Sequence, residues 1–131
     1  MVGTMSKIID IGWKQVETFL YYIIDEDENV KIGVSENPWQ RVKDLQCGNA
    51  QELRLVAWIS FSNRGRALQG ERLEHERFVR HGVNGSKEWF TSRAKIKKRL
   101  FRLMRDYEVD IQGPWFDGIT VYKNKVFRVP E

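Results

Sequence analysis

The chain has a single cysteine, Cys47, and only two histidines. One cysteine excludes an internal disulfide and any cysteine-rich zinc site. The His/Cys set needed for zinc hydrolysis is missing too. No apolar run approaches the roughly 18 residues that a membrane-spanning helix requires, so no membrane partner is expected. The first residues, MVGTMSKIIDIGWK, have neither a long apolar centre nor a small-residue cleavage pattern, and no secretory signal is expected. There is no G-x-S-x-G motif and no Walker loop. Internal repeats and low-complexity segments are absent. Together these absences point to a reducing, cytoplasmic setting.

What is present suits a folded globule. At 131 residues, 41% hydrophobic and 12% aromatic, the chain is expected to form one domain over 1–131 without staples. The formal net charge of +4 is a mild sign of a polyanionic partner. Its distribution says more. Residues 93–105, RAKIKKRLFRLMR, hold seven cations and no acid, whereas residues 25–28 are four consecutive acids. A basic helix is equally well a solvated face, so the run decides nothing alone.

Residues 19–24, FLYYII, are aromatic and β-branched and read as a buried strand. Residues 25–29 make a polar turn and 30–34, VKIGV, the return strand. Asn37 and Pro38 then open a helix over 38–47, as N-cap and first residue. Residues 53–61 read as a third strand, 67–80 as a helix, and 88–90 as a short strand. Thr91 or Ser92 is expected to cap a last helix reaching Tyr107, with Ile96, Leu100, Leu103, Met104 and Tyr107 at helical spacing. Gly113-Pro114 breaks the chain, and 119–122 with 126–129 suggest a terminal hairpin. Ile8, Ile9, Ile11, Trp13 and Val16 suggest a short edge element. The order β-β-α-β-α-β-α-(β-β) implies an α+β or mixed fold, a small sheet with helices against it.

Four polar residues break these patterns. On helix 67–80, Ala67, Leu68, Phe78 and Val79 share a stripe, and Glu71 and His75 fall in its middle. A carboxylate there needs an ion pair, a hydrogen bond or a metal. Both the structural and the metal-ligand readings stay open, and for His75 a core hydrogen bond is the commoner state. In the hairpin, pairing Ile23 with Lys31 puts Tyr21 opposite Gly33, all four on one face. Glycine there leaves room beside the phenol. Lys31 is either an edge lysine reaching solvent or a cleft cation. Arg41 lies at the border of the inward arc made by Trp39, Val42, Leu45 and Gln46. Tyrosine, lysine, arginine and glutamate around a small sheet supply a proton acceptor, two phosphate-directed cations and one hard-metal ligand. That set suits metal-assisted phosphodiester cleavage.

At this point the sequence resembles the GIY-YIG nuclease superfamily, and within it a phage and bacterial branch with K-I-G in place of Y-I-G. The pieces are Leu20-Tyr21-Tyr22-Ile23, Val30-Lys31-Ile32-Gly33, Asn37-Pro38-x-x-Arg41, Leu45-Gln46-x-Gly48-Asn49, Glu71-x-x-x-His75-x-x-Phe78 and Glu88-Trp89-Phe90. They cover about residues 19–100 in the branch's order. The resemblance implies a three-stranded antiparallel sheet flanked by helices, a nuclease core over 19–107, and an extension over 108–131 carrying the hairpin. It implies a DNA endonuclease of a bacterial or phage-infected cytoplasm using Mg²⁺ or Mn²⁺. Glu71 would bind the metal, Arg41 would stabilise the scissile phosphate, and Tyr21 would activate or position the attacking water. Lys31 would lower the pKa of Tyr21 or touch the phosphate, and His75 would support the site. Leu20 departs from the family's first glycine, and Lys87 from the glycine before Glu-Trp-Phe. Segments 1–17 and 108–131 are available for homodimer contacts or target choice. Two other readings are a non-cleaving nucleic-acid-binding module, motivated by 93–105 and Lys31, and a protein-interaction module using Trp115-Phe116.

Overall fold

The computed structural model describes residues 15–117, 119–122 and 125–128, with side chains described for 15–117. Five strands form one antiparallel sheet: β1 (Thr18–Ile24), β2 (Val30–Ser35), β3 (Arg54–Phe61), β4 (Trp89–Phe90) and β5 (Ile111–Gln112), in the order β4-β2-β1-β3-β5. Three helices flank it: α1 (Pro38–Gln46), α2 (Arg64–Arg77) and α3 (Arg93–Tyr107). Strands β6 (Ile119–Tyr122) and β7 (Lys125–Arg128) make a separate antiparallel hairpin, and β7 lies alongside α3. The fold is α+β, as expected, but the sheet has five strands rather than three. The additions are two-residue edge strands, too short to leave a periodic pattern, and Ile111-Gln112 gave no strand signal at all. Of the edge element expected near the start, Ile8, Ile9, Ile11 and Trp13 lie outside the described residues, and Val16 is exposed.

The β1–β2 hairpin has the expected register, Tyr21 opposite Gly33 and Ile23 opposite Lys31. Its acidic turn is internally bonded. Asp25 Oδ1 accepts from the backbone N–H of Asp27 and of Asn29, both at 2.9 Å. The four acids thus build a turn and present no run of free carboxylates. Alternation puts Leu20, Tyr22, Ile24, Val30 and Ile32 on one face, where they join Phe78, Phe90, Ile96, Leu100 and Met104 in the main core. The register slips between Tyr22 and Ile23, opposite Ala57 and Leu55. This bulge lets neighbours Val56 and Ala57 both enter the main core.

The opposite face carries a smaller cluster. Tyr21, Ile23 and Leu53 pack there with Val42 and Leu45 of α1. Trp39 stays 44% exposed but meets Phe19 and Trp58 edge-on, with ring centroids 5.4 and 5.1 Å apart. Asn37 caps α1, its Oδ1 accepting from Gln40 N–H at 3.0 Å, and Pro38 occupies the first turn. Gln46 holds the following loop by donating to Gln51 O (2.8 Å) and accepting from Leu53 N–H (2.8 Å).

Helix α2 starts and ends three residues before the expected span. Asn63 caps it through Arg66 N–H at 2.9 Å. Its buried residues are Ala67 and Glu74, with Phe78 buried just beyond its end, while Leu68 and Val79 are exposed. The buried arc is therefore rotated by about 60° from the stripe that Leu68 and Val79 suggest. The buried carboxylate of α2 is Glu74, not Glu71. Tyr22 Oη donates to it at 3.3 Å, and Arg99 Nη2 and Arg77 Nε lie 3.5 and 3.6 Å away. Burial, reinforced by the Glu74 charge, pushes the Tyr22 phenol well above its ordinary pKa, so it stays a donor.

Helix α3 begins after Ser92, which has φ 66° and makes no side-chain cap. Ser92 Oγ instead sits 3.2 Å from His81 Nδ1. Phe116 is buried and Trp115 packs against the main core, so this pair completes the interior and does not offer a contact surface.

The assignment of Glu74 as the structural carboxylate is testable. Removing one member of a buried ionic cluster costs about 3–5 kcal/mol. Glu74→Ala should lower the unfolding free energy in urea by about that much. Glu71→Ala should stay within about 0.5 kcal/mol, as for an unengaged surface residue.

Candidate functional site

The site forms where β2 loses its outer neighbour. Strand β4 pairs only with Val30 and Lys31, so the β2 edge from Ile32 onward has no strand beside it among the described residues. Side chains from both faces of the sheet converge on this edge.

Tyr21 comes from the α1 face. Its ring lies across Gly33, where a Cβ would fall on the phenol oxygen. Gly33 is thus the residue that lets Tyr21 reach the edge. Tyr21 is only 2% exposed. Burial raises its pKa above the ordinary 10.0. The nearby Arg41 guanidinium opposes that rise through a loose hydrogen bond and its charge, and the carboxylates of Glu88 and Glu71 reinforce it. Arg41, on the exposed side of α1, reaches over from the helix border. The same charges place Arg41, Glu71 and Glu88 around one phenol.

Lys31 is 4% exposed and lies in an interior strand, so it is not an edge lysine reaching solvent. Its Nζ meets Glu88 Oε2 at 3.0 Å and stands 6.0 Å over the Trp89 ring. The Lys31 hydrogen bond and charge hold the Glu88 carboxyl below its ordinary value, with smaller help from His75 and Arg41. The Lys31 ammonium is bonded to Glu88, a partner that the expected roles toward Tyr21 or the phosphate did not include. Glu88 is the residue the sequence reasoning passed over as a site member. Its only signal was membership of the Glu88-Trp89-Phe90 segment.

His75 and Glu71 come from α2 on the other face. His75 Nε2 lies 2.8 Å from Ile32 O, and since a carbonyl only accepts, Nε2 carries the proton. The ring also packs on Phe90, centroids 5.3 Å apart. His75 therefore pins α2 to the open strand edge, next to Gly33. Glu71 is half-buried and makes no hydrogen bond or ion pair among the described residues. It lines a cleft of about 440 Å³ with Arg72, His75, Val79, Lys87 and Phe90. A shallower depression of about 320 Å³ holds Arg41 and Arg64 beside Val34 and Ser35, farther along the same edge.

Among the described residues, no three His, Cys, Asp or Glu side chains converge as a metal cage. Mg²⁺ seldom needs one. It is usually held by one or two carboxylates, with water and substrate phosphate filling the octahedron. A cleft-lining carboxylate without an internal partner, which is what Glu71 is, fits that partial ligation. Glu88, already bonded to Lys31, is a poorer donor.

The fold and the site together define an α+β chain with a polar, cation-containing cleft at a sheet edge. The chain belongs to the T5orf172 domain family, whose model matches residues 18–105. That family comprises phage and bacterial nuclease-like proteins, which fits nucleic acid as the partner. No curated protein and no solved structure matches the chain. No helix among the described residues is long and apolar enough to cross a membrane.

The Lys31–Glu88 pair yields a stability prediction with a pH signature. Glu88→Ala leaves a buried ammonium without its acceptor, a loss of about 1–3 kcal/mol. Because the folded Glu88 pKa is depressed, its stabilisation is complete above the unfolded glutamate pKa and is lost as pH falls through the lower folded value. Urea midpoints of wild type and Glu88→Ala should differ at pH 7. They should begin to converge at about pH 4.3 and meet only once the pH falls below the lower folded value. A gap independent of pH would refute the pairing.

Proposed function

We propose that this chain is a metal-dependent DNA endonuclease of the GIY-YIG type, in the branch with Lys31-Ile32-Gly33, and that it hydrolyses phosphodiester bonds. The observation that supports the reading is that Arg41 on α1 and Glu71 on α2 both act electrostatically on the Tyr21 phenol of β1, while Glu71 lines a cleft. A structural ion-pair network would have closed on itself, as Glu74 does with Arg77 and Arg99. Here Glu71 is left unpaired beside a cleft.

In this reading Glu71 holds Mg²⁺ or Mn²⁺, which when bound polarises the phosphate and acidifies a coordinated water. The exposed Arg41 guanidinium sits where it can bind two phosphate oxygens and stabilise charge as it builds on them. Tyr21 keeps its proton at neutral pH in the free protein, so its first task is positioning: the phenol orients water or phosphate beside Arg41. Lys31 acts through Glu88 to fix the 88–90 segment against β2. His75, its Nε2–H donated to the Ile32 carbonyl, positions Glu71 one turn away on α2.

A second reading has a specific observation behind it. Burial raises the Tyr21 phenol, and Glu88 occupies Lys31, and both favour a catalytically impaired nucleic-acid-binding module on the same fold. One experiment separates the two. Supercoiled plasmid and branched or single-stranded oligonucleotides are incubated with the protein in Mg²⁺ or Mn²⁺. The endonuclease reading expects nicking that EDTA abolishes. Glu71→Ala and Arg41→Ala should each slow it by about 10²–10³-fold, the loss typical of one removed charge-stabilising group. Wild-type protein that binds these substrates and leaves all of them intact would establish the binding module instead.

A further inference from the structure

Helix α3 carries seven cations over residues 93–105, and the structure sorts them. Arg93 is turned inward: Nη2 donates to Asp25 O at 2.6 Å and Nη1 lies 3.9 Å from Glu28 Oε1. Arg99 is held by Glu74. Arg105 bonds Asp106 through Nε at 2.7 Å and Nη2 at 3.0 Å. The other four, Lys95, Lys97, Lys98 and Arg102, form no salt bridge among the described residues. Asp106 feels the Arg102 charge, but its carboxylate oxygens are engaged by Arg105.

Three of the four line one surface. Lys97, Lys98 and Arg102, with Ala94, Phe101 and Arg105, border a groove of about 490 Å³ containing no acidic side chain. Lys98 and Arg102 lie on the side of the helix opposite the buried Ile96, Leu100 and Met104, and Lys97 lies on the flank between. Lys97 is further braced over the Trp115 ring at 5.8 Å. Lys98 and Arg102, four residues apart, repel each other and weaken the helix by a few tenths of a kcal/mol. A solvated face normally interleaves acids to relieve this. The one acid of this helix, Asp106, lies near its end and is engaged by Arg105. Such a surface is complementary to a repeating polyanion.

We propose that the outer face of α3 is a second nucleic-acid surface, which holds the phosphate backbone of duplex DNA through Lys97, Lys98 and Arg102. It is distinct from the β2-edge cleft and uses none of its residues. This rests on the nucleic-acid part of the proposed function and not on cleavage. The face supplies sequence-independent affinity and salt sensitivity, while the cleft supplies the chemistry.

The test is fluorescence anisotropy of the full chain with a labelled 20-base-pair duplex, in EDTA and in KCl from 50 to 200 mM. Each phosphate contact contributes about 0.9 to the slope of log affinity against log salt. The triple variant Lys97→Gln/Lys98→Gln/Arg102→Gln should reduce that slope by about 2–3 and bind at least about tenfold more weakly at 50 mM KCl. The double variant Lys98→Gln/Arg102→Gln should reduce the slope by about 1.8, and it keeps the test decisive if the triple variant folds poorly. Variants with native melting curves and the wild-type slope would overturn the proposal, even if the protein cuts DNA. Conversely, a protein that never cuts but shows the slope change loses the endonuclease reading and keeps this one.

Discussion

The arrangement depends on a missing atom. Gly33 has no Cβ, so the Tyr21 ring can lie flat across β2 and bring its hydroxyl to the strand edge. Any side chain at 33 would push the phenol off the sheet, because a Cβ would overlap its oxygen. The rest follows from that close approach. Tyr21, buried on the α1 face, comes within electrostatic reach of an arginine on α1 and a glutamate on α2. The hairpin register makes the approach possible, since a slip of one residue would turn Tyr21 into the main core.

Two carboxylates on α2 divide the work that one was expected to do. Glu74 takes the interior role, with a phenol and two guanidinium groups around it. Glu71, three residues earlier on the same helix, keeps an open side. The separation is geometric, about 60° around the helix axis. It leaves a closed, self-satisfied cluster within the fold and an unsatisfied carboxylate at its surface. The same sorting appears among the cations. Arg93, Arg99 and Arg105 close internal pairs, and Lys31 closes one with Glu88, whereas Arg41 and the outer residues of α3 face outward.

How much of this the sequence showed depends on whether the determinant was local. The Tyr21–Gly33 and Ile23–Lys31 pairing was legible, because a short polar turn between two apolar runs sets the register by itself. The Asn37-Pro38 start of α1 was legible for the same reason. The phase of α2 was not. It has too few apolar residues to define a stripe, and two of the four used, Leu68 and Val79, turned out to be exposed. Glu88 was passed over because its partner lies 57 residues away. Its role exists only once β4 docks on β2. Of the two added strands, 88–90 was legible as a short strand, whereas Ile111-Gln112 was missed because a two-residue strand contributes a few backbone bonds and no periodicity. The gathering of Tyr21, Arg41 and Glu71 could be suspected from residue type and order. Which carboxylate remained open needed the packing of all three helices.

One small contact has a wider meaning. An uncovered strand edge invites another strand to add to it, the route by which sheets from separate chains fuse into aggregates. At Ile32, the first residue past β4, both backbone groups are already taken: the N–H by Glu88 O at 3.1 Å and the C=O by His75 Nε2. The imidazole and the 88 carbonyl act as a stopper on the one stretch of β2 where a foreign strand would find a free ladder to continue. The edge can thus stay open to a ligand while Ile32 offers a foreign strand no free backbone group.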